Sequence, residues 1–390
     1  MEGMTIKQRL QALLRTLYYP IMAIIASLLV GSIVILFTSK SNPFVAYGHM
    51  FQGGFGTKRS FDATLTKAIP LMFTALSFSI AKRSGIINLG AQGQFTAGAI
   101  SATAVGIYLT GLPAAIHLPL TLLAGFIGGS LFGFITAALK VKFGASELIV
   151  TIMLNYIAAL LAAYFVTGPM LEQLPPYYPQ SPAIPKTARL GSFIPGLNVH
   201  TGLLIVLGGV FLYYFYLWKT TSGFRMRVVG LNPTAGEYAG MSVARSTILS
   251  LFLAGGLAGL GGAVEIIAVQ GRLMITSFSE SFGFTGIAVA LLGNLNPLGI
   301  VFSGILFGGI SAGSLRMEVL TRDVNASVAE VIQALIILFI AGRMMFQIKR
   351  RRKMTTAADP DVQDDVLAED TEAVDTPLPE PAIEKAGDQA

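Results

Sequence analysis

Four side-chain amides stand in sequence that is otherwise typical of membrane-spanning helices; they belong to Asn88, Gln92, Gln94 and Asn155. The first three lie in a glycine-rich stretch, residues 85–98. An amide in hydrocarbon is unfavourable unless it has a hydrogen-bond partner or faces a cavity. Two interpretations therefore stay open: a polar clamp between helices, or a broken helix along a substrate path, where amides bind a neutral polar ligand.

A second polar segment, residues 219–246, separates two long apolar runs and carries its own helix signals. Asn232 suits the N-cap and Pro233 the first helical position, while Gly240 can end a helix in the left-handed conformation. They predict a helix of about two turns, Pro233 to Ala239. A helix this short is not stable alone in water, so we expect it to dock on another surface. The residues expected to take part are Asn232, Pro233, Ala235, Glu237, Tyr238 and Gly240.

Several kinds of chemistry are excluded by what the sequence lacks. The chain has no cysteine, which excludes disulfides, thiolate metal sites and cysteine nucleophiles. It has no G-x-x-x-x-G-K-[ST] loop for ATP and no H-E-x-x-H motif or catalytic triad pattern. We therefore expect no catalytic residue, no metal and no cofactor. His49, His117 and His200 lie in or beside predicted loops, where we expect solvated or interfacial side chains.

The composition predicts an all-α polytopic membrane protein. Hydrophobic residues make up 53% of the chain and charged residues 12%, with a mean hydropathy of +0.67; soluble domains carry about 25% charged residues. The apolar runs are too long and unbroken for barrel strands, so the spans are helices. We predict about ten transmembrane segments within residues 17–346, some broken or short, with residues 283–292 the shortest. Gly255 and Gly259 form a G-x-x-x-G packing face.

The connections between spans differ in character. Residues 39–62 are expected to form a glycine-containing loop, and residues 316–326 a charged one. Residues 168–200 contain seven prolines, so regular structure is not expected there. A turn is expected at residues 293–297, and a loop at residues 269–282.

The placement of Lys and Arg predicts that both termini are cytoplasmic. With the N-terminus inside, 17 of the 27 basic residues fall in cytoplasmic segments and nine outside. Residues 1–16 and the segment 219–246 are then cytoplasmic. Residues 347–390 are expected to be a disordered tail, first basic and then acidic, with eleven Asp and Glu after residue 353. The basic run suits the membrane surface better than a nucleic acid, because it adjoins a span.

Four ordered motifs resemble the permease subunits of bacterial ABC importers. The group they are most similar to is the sugar and branched-chain amino-acid type, in particular its nucleoside-uptake branch. The resemblance covers about residues 15–345 and leaves out the acidic tail. The motifs occupy residues 85–98 (G-I-I-N-L-G-A-Q-G-Q-F-T-A-G), 146–158, 223–241 and 283–300.

This resemblance implies a permease in the bilayer of the bacterial cell membrane, not an enzyme, that works by alternating access. Its partners would be a cytoplasmic ATPase subunit, a second related permease and an extracytoplasmic substrate-binding protein. The helix from Asn232 to Gly240 would be the coupling helix that docks on the ATPase, and nucleosides or a related small polar solute the substrate. Three alternatives stay open: a simple-sugar ABC importer, an ATP-independent transporter of neutral solutes, and a membrane-embedded assembly or enzyme subunit without transport.

Overall fold

A computed structural model of the chain describes residues 6–39, 41–173, 178–192, 199–278, 281–340 and 342, with side chains from Ile21 onward. Within these residues the regular elements are helices, which confirms the all-α prediction. The helices are α1 (Ile6–Thr38), α2 (Pro43–Phe55), α3 (Lys58–Arg83), α4 (Ala91–Tyr108), α5 (Ala114–Phe143), α6 (Glu147–Thr167), α7 (Gly202–Lys219), α8 (Thr221–Leu231), α9 (Pro233–Tyr238), α10 (Val243–Glu265), α11 (Phe282–Leu292), α12 (Pro297–Thr321) and α13 (Ser327–Ile340). The tail predicted for residues 347–390 lies outside the described residues.

Eight helical segments in the described residues are long and apolar enough to cross a membrane, which is fewer than the ten predicted. Two predicted segments do not meet these criteria. Helix α4 begins with two glutamines in its first turn, and the described part of α13 is shorter than a span. The chain is therefore a multi-pass membrane protein in which α4 is a more polar helix buried by its neighbours.

Two predicted loops are largely helical, and those predictions were wrong. Residues 39–62 contain α2 and the start of α3, with Asn42 and Thr57 as the N-caps. The Asn42-Pro43 pair is the same start signal that was recognised at Asn232-Pro233. The charged stretch 316–326 is helical as far as Thr321, because α12 extends beyond its apolar part.

Close backbone contacts hold α4, α5 and α10 together. A Cβ atom added to Gly129 of α5 would lie 2.2 Å from the Gly255 carbonyl oxygen of α10, and one added to Gly98 of α4 would lie equally close to that of Gly259. Only glycine permits such an approach, which is the usual role of small residues in membrane helix packing. The predicted packing face at Gly255 and Gly259 is thereby confirmed.

The proline-rich connection, residues 168–200, has only one short 3-10 turn among its described residues, as predicted. It folds back on the end of α10, where the Ile184 amide donates to the Gly271 carbonyl oxygen. Two histidines expected to be solvated are buried instead. His117 lies within α5, with Nδ1 2.9 Å from the Thr187 hydroxyl, and His200 is buried before α7.

Candidate functional site

The predicted break in the helical path is present between α3 and α4. Helix α3 ends at Arg83, α4 begins at Ala91, and the residues between them are not helical. Gly85 has φ of +79°, a conformation that side-chain-bearing residues rarely adopt. The chain therefore turns sharply here and leaves backbone groups that need partners.

The amides of Asn88 and Gln94 pair with each other inside this break. Asn88 Nδ2 donates to Gln94 Oε1 at 2.9 Å, and Gln94 Nε2 donates to Asn88 Oδ1 at 3.3 Å. Asn88 Oδ1 also accepts from the Gly90 amide, and its Nδ2 donates to the Ser77 hydroxyl of α3. Both side chains are fully buried, so this network holds the break against α3.

Asn155 of α6 binds the backbone of the break from the other side. Its Nδ2 donates to the Leu89 carbonyl oxygen at 2.9 Å, and its Oδ1 accepts from the Gly93 amide at 2.7 Å. Gly93 is required for this contact, because a Cβ there would lie 2.8 Å from Asn155 Oδ1. One amide thus satisfies two backbone groups that the interrupted helix leaves open.

Gln92 joins the same region to α11. Its Oε1 accepts from the Gly283 amide at 2.7 Å, which makes it an N-terminal capping group supplied by a neighbouring helix. The Thr74 hydroxyl of α3 donates to the Phe282 carbonyl oxygen beside it. The start of α11 is therefore fixed between α3 and α4.

The structure thus brings the four predicted amides to one break in the bundle. Each makes hydrogen bonds within the chain, as the polar-clamp interpretation expects. They differ in exposure, since Asn88 and Gln94 are buried while Gln92 and Asn155 are partly exposed. Contact of these amides with a substrate stays a prediction.

The short helix predicted after Asn232 is confirmed as α9 and ends at Tyr238, one residue early. Asn232 Oδ1 accepts from the Ala235 amide at 3.0 Å, and Pro233 occupies the first turn. Gly240 has φ of +73°, and its amide donates to the Glu237 carbonyl oxygen. These are the expected caps at both ends.

The exposed side of this region is apolar. The Tyr238 side chain is 90% exposed and that of Leu231, just before α9, is 88% exposed. Of the six residues of α9, only Gly236 is buried. The helix therefore contributes little to the protein's own core.

Helix α8 was not predicted, although Thr220 provides its N-cap by accepting from the Gly223 amide. It packs directly on the turn that leads into the α3–α4 break. A Cβ added to Gly230 would lie 2.3 Å from the Arg83 carbonyl oxygen and 2.7 Å from the Gly85 nitrogen. Since α9 follows α8 after one residue, α9 is linked by backbone contact to the break.

Trp218, at the end of α7, strengthens this link. The guanidinium carbons of Arg83 and Arg227 lie 5.4 and 5.6 Å from the centroid of its ring, within the range of cation–π attraction. Arg83 Nη2 also donates to the Leu295 carbonyl oxygen, which accepts from the Tyr213 hydroxyl as well. The base of α8 is therefore connected to α3, α7 and the turn between α11 and α12.

Comparison with protein families gives one match. The model for the permease component of branched-chain amino acid transport systems matches residues 60–341, which is well over half of the chain. The matched part contains both the α3–α4 break and α9. No solved structure matches.

Three curated proteins are similar over most of the chain. The nucleoside ABC transporter permease protein NupB of Lactococcus lactis is 34% identical, over 86% of this chain and 93% of its own. The guanosine ABC transporter permease protein NupP of Bacillus subtilis is 35% identical, over 84% and 93%. The glucose ABC transporter permease protein TsgB13 of Haloferax volcanii is 34% identical, over 84% and 88%.

Proposed function

The chain belongs to the family of branched-chain amino acid transport system permease components, and we propose that it is the membrane-spanning subunit of an ATP-driven nucleoside importer. The observation that carries the proposal is the family match over both the break and α9, together with full-length similarity to NupB and NupP. ATP hydrolysis then takes place on a separate subunit.

The proposed substrate is a nucleoside or a related small, neutral and polar solute. The names of NupB and NupP support this choice. The amides at the break support it too, because an amide binds hydroxyl and base groups without the desolvation cost of a charge. Glucose is the second candidate, since TsgB13 is similar to the same degree.

We propose that α9 is the coupling helix. A helix of six residues that buries little against its own chain, but carries an exposed tyrosine, suits docking on another protein. Asn232, Pro233, Ala235, Glu237, Tyr238 and Gly240 form or cap this helix. Docking on a cytoplasmic ATPase requires α9 on the inner side of the membrane, in line with the distribution of Lys and Arg and with two cytoplasmic termini.

The proposed transport cycle is alternating access. A rigid-body displacement of α9 by the ATPase is passed to α8 and, through Gly230, to the turn at Gly85. The break beyond that turn then shifts against α6 and α11. A second related permease completes the path, and an extracytoplasmic binding protein delivers the substrate.

Within this path the four amides have two roles. Gln92 and Asn155, which are partly exposed, contact the substrate. Asn88 and Gln94, which are buried and paired, hold the wall on which the other two stand.

Uptake in vesicles that contain the complete importer tests the function. We expect ATP-dependent accumulation of labelled nucleosides, insensitive to collapse of ion gradients. Uptake without ATP that disappears with an ion gradient would select a secondary transporter. Uptake of glucose in place of nucleosides would select the sugar branch, and the absence of any flux would select a subunit without transport.

A further inference from the structure

The outer face of α6 carries a polar group where a lipid-facing helix should have none. Tyr156 is the tenth of the 21 residues of α6, about 15 Å from either end, and 66% of it is exposed. Within the described part of the chain its hydroxyl has no hydrogen-bond partner. Tyrosine favours the membrane–water boundary, where its hydroxyl stays hydrated, whereas Tyr156 lies at the middle of the span.

Other exposed helix faces follow the usual rule. On α1 the large exposed side chains near the middle of the span are aliphatic, such as Leu29 and Ile33, and on α5 Ile127 and Leu131 are similar. These faces suit lipid contact. On α6, Tyr156 shares its face with Met153, Leu160 and Tyr164, which follow the i, i+3 and i+4 spacings of a helix. All four are exposed.

The opposite side of α6 is already occupied. Asn155, the residue before Tyr156, reaches Leu89 and Gly93 in the α3–α4 break, and α6 packs mainly on α4. Tyr156 therefore borders the proposed substrate path, next to the one amide of α6 that fixes its wall. Its ring offers a flat apolar surface, and its hydroxyl can donate and accept.

We propose that Tyr156 is a substrate-contacting residue that stacks on the base of a nucleoside during passage. The proposal rests on the nucleoside function proposed above, with the second permease shielding this face from lipid. Stacking on an aromatic side chain suits any base because every base has a π face, and purines offer the larger one. The hydroxyl adds a hydrogen bond of lower importance, since the ring alone provides the stacking.

Single cysteines test access, because the chain has no cysteine of its own. In vesicles with the complete importer, a charged water-soluble thiol reagent should modify this chain in Tyr156→Cys, and guanosine should slow the reaction severalfold. Leu29→Cys is the control, exposed to a similar degree on α1, and should not react. Equal inertness of both variants, or no protection by guanosine, would overturn the proposal.

Uptake kinetics test the role. Tyr156→Leu should raise KM for guanosine at least about fivefold and more than for uridine, whereas Tyr156→Phe should change it less than about twofold. Tyr164→Leu, on the same face two turns away, should leave KM unchanged. An unaltered KM in Tyr156→Leu, or equal impairment by Tyr164→Leu, refutes the contact. If the unaltered importer moves glucose or nothing at all, the function itself has failed and the contact with it.

Discussion

Asn88 and Gln94 hydrogen-bond each other in both directions within the α3–α4 break, at 2.9 and 3.3 Å. An amide pair of this kind uses a donor and an acceptor of each side chain. Neither side chain can bind a ligand fully without breaking the pair, and both are buried. The pair therefore fixes the shape of the break, and a substrate would meet the partly exposed amides instead.

Removal of one member of this pair should destabilise the protein. Asn88→Ala or Gln94→Ala leaves the other amide buried without its partner, which costs about 1–3 kcal/mol. The double variant should be less unstable than the sum of the two, by at least about 0.5 kcal/mol, because the second change removes a group that is already unpaired. Unfolding of the four purified proteins in detergent measures this, and simple additivity would contradict it.

The contact between Gly230 and the turn at Gly85 leads to a second prediction. Gly230→Ala places a Cβ 2.3 Å from the Arg83 carbonyl oxygen, so α8 must move away from the break. We expect uptake to fall at least about tenfold, since overpacking of this kind typically costs 1–3 kcal/mol.

Gly208→Ala is the matched control for this change. Gly208 also lies within a helix, α7, but a Cβ there meets nothing within 4 Å. It should transport normally. Normal uptake by Gly230→Ala, at equal amounts in the membrane, would show that this contact does not transmit motion.

Much of the fold follows from local signals in the sequence. The long apolar runs define the spans, and Asn232, Pro233 and Gly240 define α9 to within one residue. The same signals were present at Asn42-Pro43 and at Thr220 but were overlooked, because the surrounding sequence was judged by hydropathy instead of by capping. These helices could have been predicted.

Other features depend on contacts between distant residues and could not be predicted. Asn155 and Gly93 are far apart in the chain, and no local pattern indicates that one binds the backbone of the other. The burial of His117 depends on Thr187, in a connection without regular structure. The sequence could identify the amides as unusual, but their pairing requires the arrangement of α3, α4, α6 and α11.

The coupling helix leads to a third prediction. Gly240→Trp should lower transport while the protein stays in the membrane. A Cβ at Gly240 meets nothing within 4 Å, so the fold has room for the side chain, and its φ of +73° adds about 1–2 kcal/mol of strain. The effect should therefore arise at the docking surface. Pro233→Gly should act in the same direction, because it loosens the first turn of α9.

Gly111→Trp provides the control for the coupling helix. Gly111 lies between α4 and α5, has φ of +86° and is also open within 4 Å. It imposes the same strain at a site away from α9 and should keep its transport. ATP-driven uptake and co-purification of the ATPase are the measurements. Normal values for Gly240→Trp would exclude α9 as the docking element.

His200 leads to a prediction about pH. It lies just before α7, outside the span, and burial lowers its pKa to about 4, although the charge of Asp62 acts in the opposite direction. His200 Nδ1 accepts from the Gly202 amide, while Nε2 is buried without a partner. An unfolded histidine titrates near pH 6.5. The unfolded chain therefore binds more protons between these two values, and the free energy of unfolding falls as the pH drops from about 6.5 towards 4.

The His200→Asn variant separates this effect from the titration of other groups. Its side-chain oxygen can still accept from the Gly202 amide, but the residue no longer titrates. Between pH 7 and pH 5 the unaltered protein should lose up to about 2 kcal/mol more stability than the variant, at about 1.4 kcal/mol per pH unit. Thermal unfolding of both proteins in the same detergent measures the difference. Parallel pH profiles would mean that His200 is hydrated in the folded protein, because only a desolvated imidazole has a strongly lowered pKa without a nearby cation.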